Sequence, residues 1–158
     1  MRKIVLFVVS FMLLSGATYA QKQLNSFNEL MEVLNSGGQV RVVMHYAKCQ
    51  LISDNEIEDN VPDAIGGMSI DVYEYFAEGA VRNKKAFVVF SQTKLIQNPL
   101  GKGYVSNYAK VKIQADNEVK ITAEYLDPVS LEVKMTENFF TSINDGNNEG
   151  GLFLYQTK

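Results

Sequence analysis

The chain has 158 residues, with 15 Lys and Arg against 18 Asp and Glu, 46% hydrophobic side chains, one histidine and one cysteine. Such a length suits one domain with a core of its own, and an acidic balance removes the main attraction toward nucleic acid or an anionic membrane surface. Because Cys49 stands alone, an internal disulfide is excluded and stability must come from packing.

At the start, Arg2 and Lys3 precede an apolar run from Ile4 to Leu14, and small residues lead from Ser15 to Ala20. That order is the grammar of a secretory signal peptide cleaved after Ala20. The apolar run is too short to cross a hydrocarbon layer of about 30 Å as a permanent anchor. The expected organisation is a signal peptide at 1–20 and a single β-rich domain at 21–158, exported to a periplasmic or secreted location. Without Arg2 and Lys3, 13 basic side chains face 18 acidic ones, a net charge of −5.

Ser26-Phe27-Asn28-Glu29 has the pattern of a capping box, in which Ser26 accepts from the Glu29 amide while Glu29 reaches back. Phe27, Leu30, Met31 and Leu34 then fall on one apolar stripe, and Gly37-Gly38 ends the helix with a left-handed cap. A helix of about two and a half turns is marginal alone, so its stripe must pack on something. From Gln39 to Lys48, Val40, Val42, Met44 and Tyr46 alternate with Arg41, Val43, His45 and Ala47, which predicts a strand.

A hairpin is expected from Met68–Phe76 and Lys84–Thr93, joined near Glu78-Gly79. The cleanest alternation follows. Ala109, Val111 and Ile113 form one dry row, Val119, Ile121, Ala123 and Tyr125 the next, and Val129, Leu131, Val133 and Met135 a third, with turns at Asp116-Asn117 and Asp127-Pro128. Wet and dry faces so separated predict an antiparallel meander whose register is held by burial. Segments 138–143 and 152–156 flank a loop rich in glycine and asparagine. The fold expected is mainly β, a short N-terminal helix followed by about eight antiparallel strands in a small barrel, which would remove both sticky sheet edges; a β-sandwich is the alternative.

Candidate chemistry is sparse. His45 and Cys49 lie four residues apart; on a strand they sit about 13 Å from each other, so a thiol–imidazole pair requires a sharp bend after Tyr46. Zinc would need more His or Cys ligands than these two. Asp54, Glu56, Glu58, Asp59 and Asp63 offer oxygens at calcium-like spacing, but Asp59 stands where an EF-hand needs glycine and Ile65 where it needs glutamate. Asp145, Asn147 and Glu149 form a second oxygen-rich cluster, and solvated turns account better for both. Arg82, Lys84 and Lys85 read as a solvated strand face. Tyr46, Tyr73 and Tyr125 combine apolar area with a polar tip and are candidates for a ligand cavity. Asn98-Pro99-Leu100-Gly101-Lys102-Gly103 lacks phosphate-loop spacing and reads as a turn.

The order of these features resembles the VirK family of small exported bacterial proteins. The resemblance rests on residues 27–34 running into Gly37-Gly38-Gln39-Val40-Arg41-Val42-Val43, on Lys48-Cys49, on Ile65-Gly66-Gly67-Met68-Ser69-Ile70-Asp71-Val72-Tyr73, and on the strand Ala86–Ser91. It implies export and host association, and transfers no active-site residue. The leading expectation is a non-enzymatic module, needing no cofactor, that holds a small apolar ligand or a protein partner. A secreted interaction or structural protein is the second reading, and a thiol- or histidine-dependent enzyme centred on His45 and Cys49 the third. N-terminal sequencing of the exported protein should begin at Gln21; an intact Met1 on that material would refute the signal peptide.

Overall fold

The computed structural model describes residues 21–53 and 56–157. The expected signal peptide and Asp54 lie outside them. One α-helix, α1 (Phe27–Asn35), is present among the described residues, and its caps explain its ends. The Ser26 hydroxyl accepts from Glu29 N at 3.2 Å, and the Glu29 carboxylate reaches back to Asn25 N at 3.1 Å. At the other end Gly37 adopts φ +77° and Gly38 N donates to Val33 O at 2.9 Å, closing the last turn. Phe27, Leu30, Met31, Val33 and Leu34 are all buried.

The strands are β1 (Lys22–Leu24), β2 (Gln39–His45), β3 (Gln50–Ser53), β4 (Glu56–Glu58), β5 (Ile65–Ser69), β6 (Glu74–Phe76), β7 (Phe87–Gln97), β8 (Tyr104–Gln114), β9 (Glu118–Leu126), β10 (Val133–Ser142) and β11 (Leu152–Thr157). They form a four-stranded sheet in the order β1-β11-β2-β5 and a seven-stranded sheet in the order β4-β3-β10-β9-β8-β7-β6. Every named strand pair is antiparallel. The sheets meet where β10 runs out: Ile143 makes an isolated parallel bridge to Leu152, and Asn144 N donates to Leu152 O at 2.7 Å.

The large sheet carries the spine of the core. Cross-strand register aligns Phe90 with Val111, Val111 with Ile121, Ile121 with Phe139 and Phe139 with Leu51. All five are buried on the inner face, where they join the α1 stripe and Val40, Val42, Met44, Leu152 and Leu154 of the small sheet in one cluster. A side chain at the β8–β9 turn ties the helix to this sheet. Asn117, at φ +70°, accepts from Phe27 N through its side-chain oxygen at 2.8 Å and from Ile143 N through its carbonyl at 3.1 Å.

Several expectations need correction. The barrel does not form: among the described residues no pairing joins β4 to β6, so the large sheet stays open and the two sheets make a sandwich-like fold. Its edges are kept short instead, and β4 places Glu56 and Glu58 on one of them, a usual defence against edge pairing. The hairpin expected from Met68–Phe76 is divided, since β5 pairs with β2 in the small sheet while β6 pairs with β7 in the large one. Segments 129–136 and 138–143 are not two strands. Residues from Val133 onward form the single strand β10, whereas Val129 and Leu131 sit in the preceding turn and are exposed. Val133 leaves the dry row because a bulge shifts the register between it and Met135, pairing Val133 with Leu126 on the outer face. Arg82 and Lys84 lie in the connection between β6 and β7 rather than on a strand, as does Lys85, whose ammonium pairs with Asp116 and Glu118.

The alternation in β8 and β9 is as expected: Val111, Ile113, Val119 and Ile121 are buried while Lys110 and Lys120 are exposed. Ile121→Asp should therefore cost more than about 3 kcal/mol, because it places an unpaired charge in the spine. Lys120→Asp should move stability by only a few tenths of a kcal/mol. Thermal melts of the two variants read the difference, and greater damage from Lys120→Asp would mean an inverted register.

Candidate functional site

The chain does bend sharply after β2. Residues Tyr46–Lys48 form a single 3-10 turn, closed by Cys49 N donating to Tyr46 O at 2.8 Å. The turn brings Cys49 back beside β2, but its thiol donates to the backbone carbonyl of His45 at 3.4 Å. The imidazole is occupied elsewhere, tilted against the Phe153 ring at a centroid distance of 4.9 Å. Burial pushes the Cys49 thiol above its ordinary pKa, against a smaller opposing effect from a hydrogen bond with Thr141. A raised pKa disfavours the thiolate that nucleophilic chemistry needs.

Gly151 closes this corner. It accepts from His45 N through its carbonyl at 2.8 Å, and its own N–H donates to Thr141 Oγ1 at 2.7 Å. A Cβ at this position would fall 2.8 Å from His45 O and 2.9 Å from Cys49 Sγ. The lone cysteine is thus packed into the junction between β2, β10 and β11.

The three candidate tyrosines part company. Tyr46 is partly buried and packs against Phe139 at 4.7 Å between centroids, at the margin of the core. Burial raises its phenol pKa, with smaller contributions from Cys49, Tyr125 and Glu137. Tyr125 is half-buried on the inner face of β9, opposite Met135. Tyr73 donates to Leu34 O at 3.2 Å, which ties the segment before β6 to the end of α1.

Tyr73 also lines an open cleft of about 470 Å³, bordered by the edge strand β6, the residues just before it, β7 and β8. Its apolar wall is made by Tyr73, Phe76, Val89 and Tyr108; Glu74, Ser91 and Lys110 bring polar groups. Sequence reasoning missed all of these except Tyr73, because a cavity was sought on the dry face. The available signal was a pair of aromatic residues, Tyr73 and Tyr108, at positions that alternation assigns to the wet side or to a connection.

The oxygen-rich loops serve their own turns. The Asp145 carboxylate accepts from Asn147 N at 2.8 Å and from Asn148 N at 2.9 Å. Buried Asn144 donates to Gly150 O at 2.9 Å and to Asn148 O at 3.2 Å. Glu149 is exposed beside them, and Glu56 and Glu58 are exposed on the edge strand β4. Among the described residues no three His, Cys, Asp or Glu side chains converge as a metal site, and no helix is long and apolar enough to cross a membrane.

These features define a sandwich-like antiparallel β fold with one helix sealing its core and a cleft beside the edge strand β6 of the larger sheet. The VirK protein family model matches residues 23–131, and the chain belongs to the VirK family. Among solved structures, it is similar to a VirK family protein from Legionella pneumophila, with a TM-score of 0.63 and 16% identity over 84% of this chain and 97% of that one. At that identity the likeness concerns the fold. No curated protein matches the sequence.

Gly151→Ala should destabilise the protein by about 1–3 kcal/mol, since its methyl group meets a backbone carbonyl that cannot turn aside. Cys49→Ala removes a small buried group and should cost about 1 kcal/mol. Urea unfolding of both variants tests the close packing of the corner; a wild-type midpoint for Gly151→Ala would refute it.

Proposed function

We propose that the chain is an exported, non-enzymatic binding module, and that its ligand is a small molecule held in the cleft that residues 72–76 border beside β7 and β8. The observation that carries this reading is the lining. Aromatic and aliphatic side chains form one wall while Ser91, Lys110 and Glu74 offer a hydroxyl, a cation and an anion. Apolar area with a few polar groups at its margin is how proteins hold amphipathic small molecules. A thiol-dependent enzyme is less well supported, because the Cys49 thiol is turned to a carbonyl and the His45 ring to Phe153.

A second reading, a protein-interaction role, draws support from the far end of the large sheet. There Leu95, Leu100, Tyr104, Val129 and Leu131 are exposed near the two hairpin tips, and exposed apolar area of this kind favours a partner.

Native mass spectrometry of the protein purified from its own compartment separates the readings. The cleft reading expects a small mass added to the chain, lost in Tyr108→Ala without a fall in melting temperature. A bare chain, or an added mass indifferent to Tyr108→Ala, would refute it, and a protein-sized addition would favour the second reading.

A further inference from the structure

The outer face of the large sheet carries three lysines that the net charge of the chain conceals. Lys112 and Lys120 are directly opposite one another on β8 and β9, and Lys110 lies two residues along β8 on the same face. Directly opposed residues hold their Cβ atoms about 5 Å apart, and like charges so placed destabilise a sheet. Among the described residues, ion pairs are made by Lys85 and Lys134, and none by these three. The neighbouring carboxylate, Glu118, accepts from Lys85 at 3.4 Å and from Gln114 at 3.3 Å.

The two ammonium groups lean apart onto aromatic rings instead, one toward β7 and the other toward β10. Lys112 Nζ lies 4.0 Å from the centroid of Phe87, and Lys120 Nζ 5.4 Å from that of Phe140. Ring faces attract cations without cancelling their charge. Lys112, Lys120 and Phe140 also border a hollow of about 290 Å³, which Glu118 and Gln114 enter from one end.

We propose that this hollow binds a phosphomonoester group, onto which the flexible stems of Lys112 and Lys120 swing both ammonium groups from their rings. A phosphomonoester near neutral pH carries a charge of about −1.5 to −2 and three acceptor oxygens, enough to satisfy two ammonium groups together. A single carboxylate leaves the pair half neutralised. Lysine acts as a point charge toward phosphate and needs no planar match. This inference goes beyond the cleft reading and rests on Lys112 and Lys120, neither of which lines the cleft, so Tyr108→Ala should leave it untouched.

The test uses the purified chain and two probes, inorganic phosphate and phosphatidylcholine vesicles containing phosphatidic acid. Calorimetric titration with phosphate is compared with chloride at equal ionic strength, and vesicle flotation is compared with vesicles lacking phosphatidic acid. The expected result is selective binding of one or both probes, weakened at least tenfold in Lys112→Gln/Lys120→Gln and largely restored in Lys112→Arg/Lys120→Arg. Binding to free phosphate marks a soluble source, and binding to vesicles alone marks a lipid one. Lys94→Gln/Lys102→Gln removes the same charge elsewhere and should leave binding intact. Without ligand, Lys120→Gln should melt no lower than the unaltered protein, because it relieves an opposed like-charge pair. No selective binding to either probe, binding retained without Lys112 and Lys120, or equal loss in the Lys94 and Lys102 control would overturn the proposal.

Discussion

The architecture depends on one row of side chains. Phe90, Val111, Ile121, Phe139 and Leu51 come from five neighbouring strands and lie side by side under α1 and the small sheet. Each such residue contributes about 1.5–3 kcal/mol when fully withdrawn from water. The row also enforces register, because a one-residue slip of β8 would exchange Val111 for Lys110 or Lys112. The short helix is marginal alone and depends on burying its apolar stripe in the cluster that this row and the small sheet share. Asn117 then fixes where the helix starts by accepting from Phe27 N at 2.8 Å.

Beyond this row the large sheet outruns its cover. Strands β7 to β10 hold 9 to 11 residues each, while no strand of the small sheet exceeds 7. The covered part is rigid core, and the remainder exposes both faces. That mismatch explains why the surface features of interest lie on the large sheet. Tyr46 is partly buried and packs against Phe139.

Charge is similarly local. A net −5 describes the sum over 13 basic and 18 acidic side chains of residues 21–158, yet Lys110, Lys112 and Lys120 share one face through the β8–β9 pairing. An expectation drawn from the sum applies to long-range repulsion and says little about a patch a few ångströms across.

What the sequence by itself determined was local: the capped helix, the turn at Asp116-Asn117, and the two faces of β8 and β9. Those follow from hydrogen bonding within a few residues and from a period of two, both written in adjacent positions. The placing of Val133 was not, because the bulge that turns it outward arises from pairing with Leu126 across the hairpin. Nor was the choice of sheet for β5 and β6, since segments of similar pattern pair with β2 and β7 according to where the chain has already been fixed. The His45–Cys49 relation is of the same kind. Spacing left open both a strand and a bend, and only packing against Thr141, Gly151 and Phe153 turned the thiol to a carbonyl and the imidazole to a ring. Contacts between residues distant in sequence depend on which surfaces are buried together, and that information exists only once the two sheets have met.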